Sequence, residues 1–222
     1  AHSRMYLADQ GIEFSQESLE IGKKLNNQLL MASAHYSIGL GYLFQDILDE
    51  GENHLVKSIE MAKKMGSMIG QNFVYNDLLD LLFRKKDKEK IENYYEEYMG
   101  FESIFGNVAN FKLGKLKYQA IISIFYNEYD NALIQLKEAL KYSYDEKFPN
   151  YIEQFRIKGL LYLVHQEIGD YTKANQYFKE VSETWTNQNF EIEKKYYLVK
   201  NWHHGKDSHY SISQTSNRSM KE

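Results

Sequence analysis

The chain has 222 residues, 43% of them hydrophobic and 26% charged, with a net charge of −4. That is enough apolar content for a packed core, and the negative balance argues against nucleic-acid binding by the bulk of its surface. It has no cysteine and one proline, Pro149. This excludes a disulfide framework and thiolate chemistry, leaves few helix breakers, and fits a reducing, cytoplasmic setting.

The chain opens on a half-copy of something that comes later. Glu17-Ser18-Leu19-Glu20-Ile21-Gly22-Lys23-Lys24-Leu25-Asn26 echoes Lys57-Ser58-Ile59-Glu60-Met61-Ala62-Lys63-Lys64-Met65-Gly66. Residues 1–27 are therefore expected to be a partial repeat, its second helix, or an N-terminal cap. Four fuller copies follow. Helical segments beginning at Gly51, Ile91, Ala132 and Ala174 each carry a small or aliphatic residue, a large apolar residue four on, and a core-type residue three later. This i, i+4, i+7 stripe marks one packed helix face. Its recurrence every 40 to 42 residues marks a stacked array of helix pairs over residues 28–187. The small residues Gly39, Gly51, Ala132, Ala139 and Ala174 are expected where helices cross closely, and Leu55, Tyr95, Leu136 and Phe178 between pairs. Tyr129 and Tyr171 follow the turns and are expected to cover them. Residues 188–204 read as a C-terminal capping helix, with Lys194, Lys195 and Lys200 toward water, and residues 205–222 as a polar tail.

Chemistry-bearing patterns are sparse. There is no phosphate loop, no HExxH, no paired CxxC, and no Ser placed near a recognisable base. Gly39-Leu40-Gly41 lies within a helical pattern without the strand a dinucleotide fingerprint needs. His203, His204 and His209 lack a carboxylate in tight register, so no metal site is expected. His165 replaces an aromatic residue in a core column and reads as a buried histidine, and Arg84 to Lys90 as a solvated mixed-charge turn. The longest apolar runs, residues 120–126 and 159–164, are far too short to span a bilayer. The expectation is a protein that is not an enzyme, with no cofactor, no metal and no membrane contact.

The array resembles the tetratricopeptide repeat (TPR). Gly169-Asp170-Tyr171-Thr172-Lys173-Ala174 matches the turn signature of that family, and Asn127-Glu128-Tyr129-Asp130-Asn131-Ala132 matches with Asn for Gly. Lys86-Asp87-Lys88 is a weaker copy, and Asp49-Glu50-Gly51 is the poorest. Ile38-Gly39 followed by Tyr42 fits the Leu-Gly…Tyr pattern of the first helix. The resemblance implies an all-α, TPR-like right-handed superhelical solenoid of antiparallel helix pairs, with nine to ten helices. The units exceed the family's usual length of about 34 residues, which implies longer helices and a deeper concave wall.

In such a solenoid the first helix of each pair lines the concave groove. The resemblance places Tyr36 and Phe44 there from the first repeat, and Phe73, Asn76, Asp80 and Arg84 from the second. The third contributes Asn110 and Lys117, and the fourth Arg156 and Gln166. An Asn amide both donates and accepts, and Asp80 and Arg84 offer opposite charges, a combination suited to a peptide. Long-unit arrays of this kind are similar to the receptors for secreted signalling peptides of low-GC Gram-positive bacteria and their phages, the RRNPP group, which includes Rap proteins and arbitrium receptors. That likeness implies a cytoplasmic, non-catalytic domain binding a short peptide as the sensor part of a quorum-sensing type regulator, without direct nucleic-acid contact. A TPR adaptor for protein–protein interaction is the alternative, and homodimerisation through the tyrosine-bearing end helix is an expectation of either.

Overall fold

The computed structural model describes the backbone of residues 2–144 and 150–188, and the side chains of residues 8–144 and 150–182. The expected capping helix at 188–204, the tail, the three C-terminal histidines and Pro149 lie outside the described side chains. Among the described residues the chain is all helix and turn. The elements are α1 (His2–Lys24), α2 (Gln28–Gln45), α3 (Leu48–Lys64), α4 (Met68–Lys85), α5 (Lys88–Met99), α6 (Glu102–Phe105), α7 (Ala109–Phe125), α8 (Tyr129–Tyr142), α9 (Tyr151–Glu167) and α10 (Tyr171–Gln188). Successive helices pack on one another: α1 on α2, then α2–α3, α7–α8 and α9–α10 as tight pairs, with α4 held between α3 and α5.

The turns show why the units repeat. One or two residues after each first helix the chain adopts the left-handed conformation: Asp46 (φ 65°), Lys86 (φ 58°), Asn127 (φ 59°) and Gly169 (φ 77°). This reverses the chain and lets the following amide bond back to the helix, as Asp87 N does to the Leu82 carbonyl at 3.1 Å. Only at Gly169 is that backbone free of Cβ cost. The first turn therefore belongs to Asp46-Ile47-Leu48, three residues before the Asp49-Glu50-Gly51 expected from sequence. An Asp in the glycine position hid it. The entering turns use side-chain caps: Asn27, Ser67, Asp87 and Asn150 each accept from the backbone N–H three residues on.

The small residues stand where the helices cross. A Cβ on Gly39 would lie 2.9 Å from Leu55, and one on Gly51 would lie 3.3 Å from the Gly39 carbonyl, so α2 and α3 touch backbone to backbone. Ala132, Ala139 and Ala174 are fully buried, as are Leu55 and Leu136. Phe178 is an exception, 41% exposed although its ring meets Tyr162 at 5.8 Å. Tyr129 donates to Asn127 Oδ1 at 2.9 Å and so ties down its turn, whereas Tyr171 is 59% exposed.

One unit breaks the pattern. Helix α5 has 12 residues where α3 has 17. The chain between Gly100 and Val108 folds back through α6 instead. Its aromatic residues explain this: Phe101 and Phe105 join Tyr75, Tyr98 and Phe111, with Tyr98 and Phe111 stacked at 4.8 Å. Large rings favour filling this gap over extending the helix into water. The result is a continuous apolar core running from α2 to α10, with a smaller cluster of Ile12, Leu19, Ala34 and Ile38 joining α1 to α2.

Candidate functional site

The first helices of the pairs, α2, α4, α7 and α9, converge. Bonds between their side chains join unit to unit, and one of them, Arg156 to Asp80, skips a unit, which only the inner side of a curved array permits. Tyr36 on α2 donates to Asp77 Oδ2 on α4 at 2.7 Å. Lys117 Nζ on α7 lies 3.0 Å from Asp80 Oδ1 and donates to Asp80 Oδ2 at 3.2 Å and to Glu153 Oε2 at 2.8 Å. Arg156 on α9 reaches across α7 to α4, its Nη1 donating to Asp80 Oδ2 at 2.5 Å and to Glu153 Oε1 at 2.8 Å. The second helices instead form exposed neighbour-to-neighbour ion pairs, such as Lys63–Glu97 at 2.6 Å. They are the convex side.

The cluster is charged and dry. Asp80 and Lys117 are each 1% exposed, while the side chains of Arg156 and Glu153 keep 11% and 13%. Burial opposes ionisation of Asp80, but the charges of Arg156 and Lys117, the Lys117 hydrogen bond and the more distant Arg84 outweigh it, so its carboxyl is held below the usual range. Asp77 goes the other way. Burial pushes it up, and Arg156 and the Tyr36 hydroxyl only partly compensate. Tyr118, fully buried against the cluster, donates to the Asn76 carbonyl at 2.6 Å. Burial first, and then Asp80 and Glu153, drive its phenol well above the ordinary value, so it stays a donor.

Of the residues singled out from sequence, Tyr36, Asn76, Asp80, Lys117 and Arg156 come together here. Asn76 donates to the Asn72 carbonyl at 2.9 Å within its own helix. Arg84, expected in a solvated turn, is instead buried one turn further on. It donates to the Leu43 carbonyl at 3.4 Å, where its charge faces the C-terminal end of α2. Phe73, 60% exposed, stands one turn before Asn76. Phe44 is 53% exposed near the end of α2, Asn110 is exposed at the start of α7, and Gln166 is half-buried at the end of α9. These three stand apart from the charged cluster. Sequence reasoning passed over Asp77, Tyr118 and Glu153. The signal for two of them was present: Asp77 and Glu153 each lie three residues from a residue already chosen, Asp80 and Arg156, and so share its helix face.

Two histidine sites lie elsewhere. His35 on α2 and His54 on α3 face each other with Nδ1 atoms 3.0 Å apart. Burial, then His54, Lys57 and Lys23, lower His35 to about 4, and burial with Lys57 lowers His54. His165 is 1% exposed, its Nδ1 3.4 Å from Asp170 Oδ2, and its ring stacks on Tyr177 at 5.7 Å. Burial lowers it, partly opposed by Asp170. Among the described residues no group of three or more His, Cys, Asp or Glu is arranged to hold a metal, and no helix is long and apolar enough to cross a membrane.

No protein-family model and no curated protein matches the chain. Solved structures do. The apo form of RapI superposes with a TM-score of 0.64 at 17% identity, over 83% of this chain and 64% of RapI. BtubC (BKLC) from P. vanneervenii superposes with a TM-score of 0.61 at 15% identity, over 96% of this chain and 81% of BtubC. The fold is a TPR-like helical solenoid. The chain spans 64% of RapI, the shared architecture is that of the repeats, and at these identities it extends to the fold alone.

Proposed function

We propose that this chain is a non-catalytic ligand-binding repeat domain that holds a short peptide against its concave face, as the sensor part of a bacterial or phage quorum-sensing type regulator. The observation that carries the reading is the inner face of α4, α7 and α9, where the Glu153–Arg156 edge of the polar cluster keeps solvent contact and the ring of Phe73 is exposed. Paired charges and amides on one inner surface, beside an aromatic contact, are what an extended peptide needs for its backbone and its ends. The likeness to RapI, together with the resemblance of the repeats to peptide-receptor arrays, supports the same assignment. The domain acts in the cytoplasm and makes no nucleic-acid contact of its own.

A screen of short synthetic peptides by titration calorimetry and thermal shift tests it, since a ligand of the folded state raises the melting temperature. Phe73→Ala removes an exposed ring and is expected to weaken a binding peptide about tenfold, the order of one lost anchor contact, without changing the melting temperature of the free protein. The convex control Lys63→Ala is expected to leave binding unchanged. An adaptor role is the second reading. It is favoured by Leu29, Ile69 and Ile152, the second residues of α2, α4 and α9, which leave 64%, 64% and 44% of their surface exposed along one edge. Binding that survives Phe73→Ala but is lost on changing Ile69 to Ser transfers the assignment to that edge.

A further inference from the structure

The charged cluster is neutral overall, yet its members are not equivalent. Asp80 and Lys117 are sealed, whereas Glu153 and Arg156 keep contact with solvent. Glu153 sits in the first turn of α9, its backbone N–H capped by Asn150 Oδ1 at 3.2 Å. Its two oxygens are divided between two cations, Oε1 to Arg156 and Oε2 to Lys117, each at 2.8 Å. A carboxylate held by a lysine and an arginine at the outer edge of a groove has the geometry of a bound ligand. If Glu153 is set aside, two cations of the cluster, Lys117 and Arg156, remain against the one carboxylate bonded to both, Asp80. The surplus is positive and would draw in an anion.

We infer that Lys117 and Arg156 form a carboxylate receptor whose resting occupant is Glu153, and that the ligand of the concave face carries a free carboxylate which takes the place of Glu153. This rests on the peptide-binding reading above and specifies its chemistry. Exchange would begin at the solvent side, where Glu153 and Arg156 lie, and leave the sealed Asp80–Lys117 pair intact. The intramolecular carboxylate then acts as a built-in competitor. It keeps two buried cations paired while the groove is empty, and it sets a threshold that a ligand must exceed, because its effective concentration is high.

The test uses the immobilised 222-residue chain and three equimolar pools of pentapeptides lacking Asp and Glu unless stated. The first has free C-termini. The second is the same pool amidated at the C-terminus. The third is amidated but carries one internal Asp or Glu. Peptides retained are counted by mass spectrometry for wild type, Glu153→Gln, Glu153→Asp and the double variant Glu153→Gln/Arg156→Gln, with circular dichroism melts to confirm folding. Removing a charge-assisted competitor is expected to raise retention of a carboxylate-bearing pool about tenfold in Glu153→Gln. Glu153→Asp, one methylene too short to span both cations, should show a smaller gain and serves if the glutamine variant does not fold. Adding Arg156→Gln should cancel the gain. Enrichment confined to the first pool identifies a peptide C-terminus, and enrichment confined to the third an acidic side chain. Equal retention of all pools by wild type and Glu153→Gln overturns the carboxylate exchange while leaving peptide binding standing. No retention by any folded variant overturns both.

Discussion

Asp80→Asn probes how much the inner cluster holds the array together. The side chain is 1% exposed and accepts from Lys117 and Arg156, so it bonds to both other helices of the cluster, α7 and α9. The amide keeps the shape but loses the charge, so Lys117 and Arg156 are left to share Glu153. Removing one partner of a buried ion pair costs about 3–5 kcal/mol. The surviving Glu153 contacts and the amide oxygen point to the low end, about 3 kcal/mol. For a chain of this size each kcal/mol moves the midpoint by about 2–4 °C, so the melt should fall by roughly 6–12 °C. Because the pair is dry, the loss should change little between about 0.05 and 0.5 M salt, unlike that of a surface pair. Thermal and urea melts followed by circular dichroism measure it, and the double variant Asp80→Asn/Arg156→Gln should cost less than the sum of the singles. A single variant that melts within a degree or two of wild type refutes the view that these charges tie three units together.

Three further outcomes follow from the same geometry. Ala174→Leu forces a large side chain into a fully buried helix crossing and should cost about 1–3 kcal/mol by thermal melt, with no change if the crossing is looser than described. Lys86→Gly relieves a left-handed backbone at φ 58° and should stabilise by about 0.5–1 kcal/mol in the same assay, and a loss of stability would contradict the turn assignment. His35 titrates at about 4 in the folded chain against 6.5 when free, so the unfolded state takes up the proton first and stability is lost as pH falls from about 6.5 toward 4. At pH 5 the loss should be about 2 kcal/mol relative to pH 8. Urea melts should show it in wild type and a smaller loss in His35→Gln, with His54, Lys57 and Lys23 as the groups that set the local charge.

How far the sequence carried depended on whether a position answers to local or distant neighbours. The helix faces and most turns were readable because Leu55, Leu136, Ala132 and Ala174 obey a fixed spacing, and Gly169-Asp170-Tyr171 writes its turn in the residues themselves. The first turn was misplaced by three residues because Asp46 holds a left-handed conformation without the glycine that signals it. The break at α5–α6 was missed because it depends on rings from α4 and α7 meeting Phe101 and Phe105 in space. At the inner face, the spacing of Asn76, Asp80 and Arg84 put them on one helix. It could not reveal that Arg156, 76 positions away, bonds to Asp80, or that Arg84 turns toward α2. Pairing across units is set by the curvature of the array, which no single repeat encodes.

The central claim is that ligand meets the side formed by α2, α4, α7 and α9. Photo-crosslinking tests it even while the ligand is unidentified: a pentapeptide library bearing benzoylphenylalanine is irradiated with the protein, and attachment sites are mapped by mass spectrometry. The account predicts attachment concentrated at Phe73, Tyr36 and their neighbours on those first helices, and suppressed by excess unlabelled library. Saturable attachment confined to the outer faces of α3, α5 and α8 would contradict it.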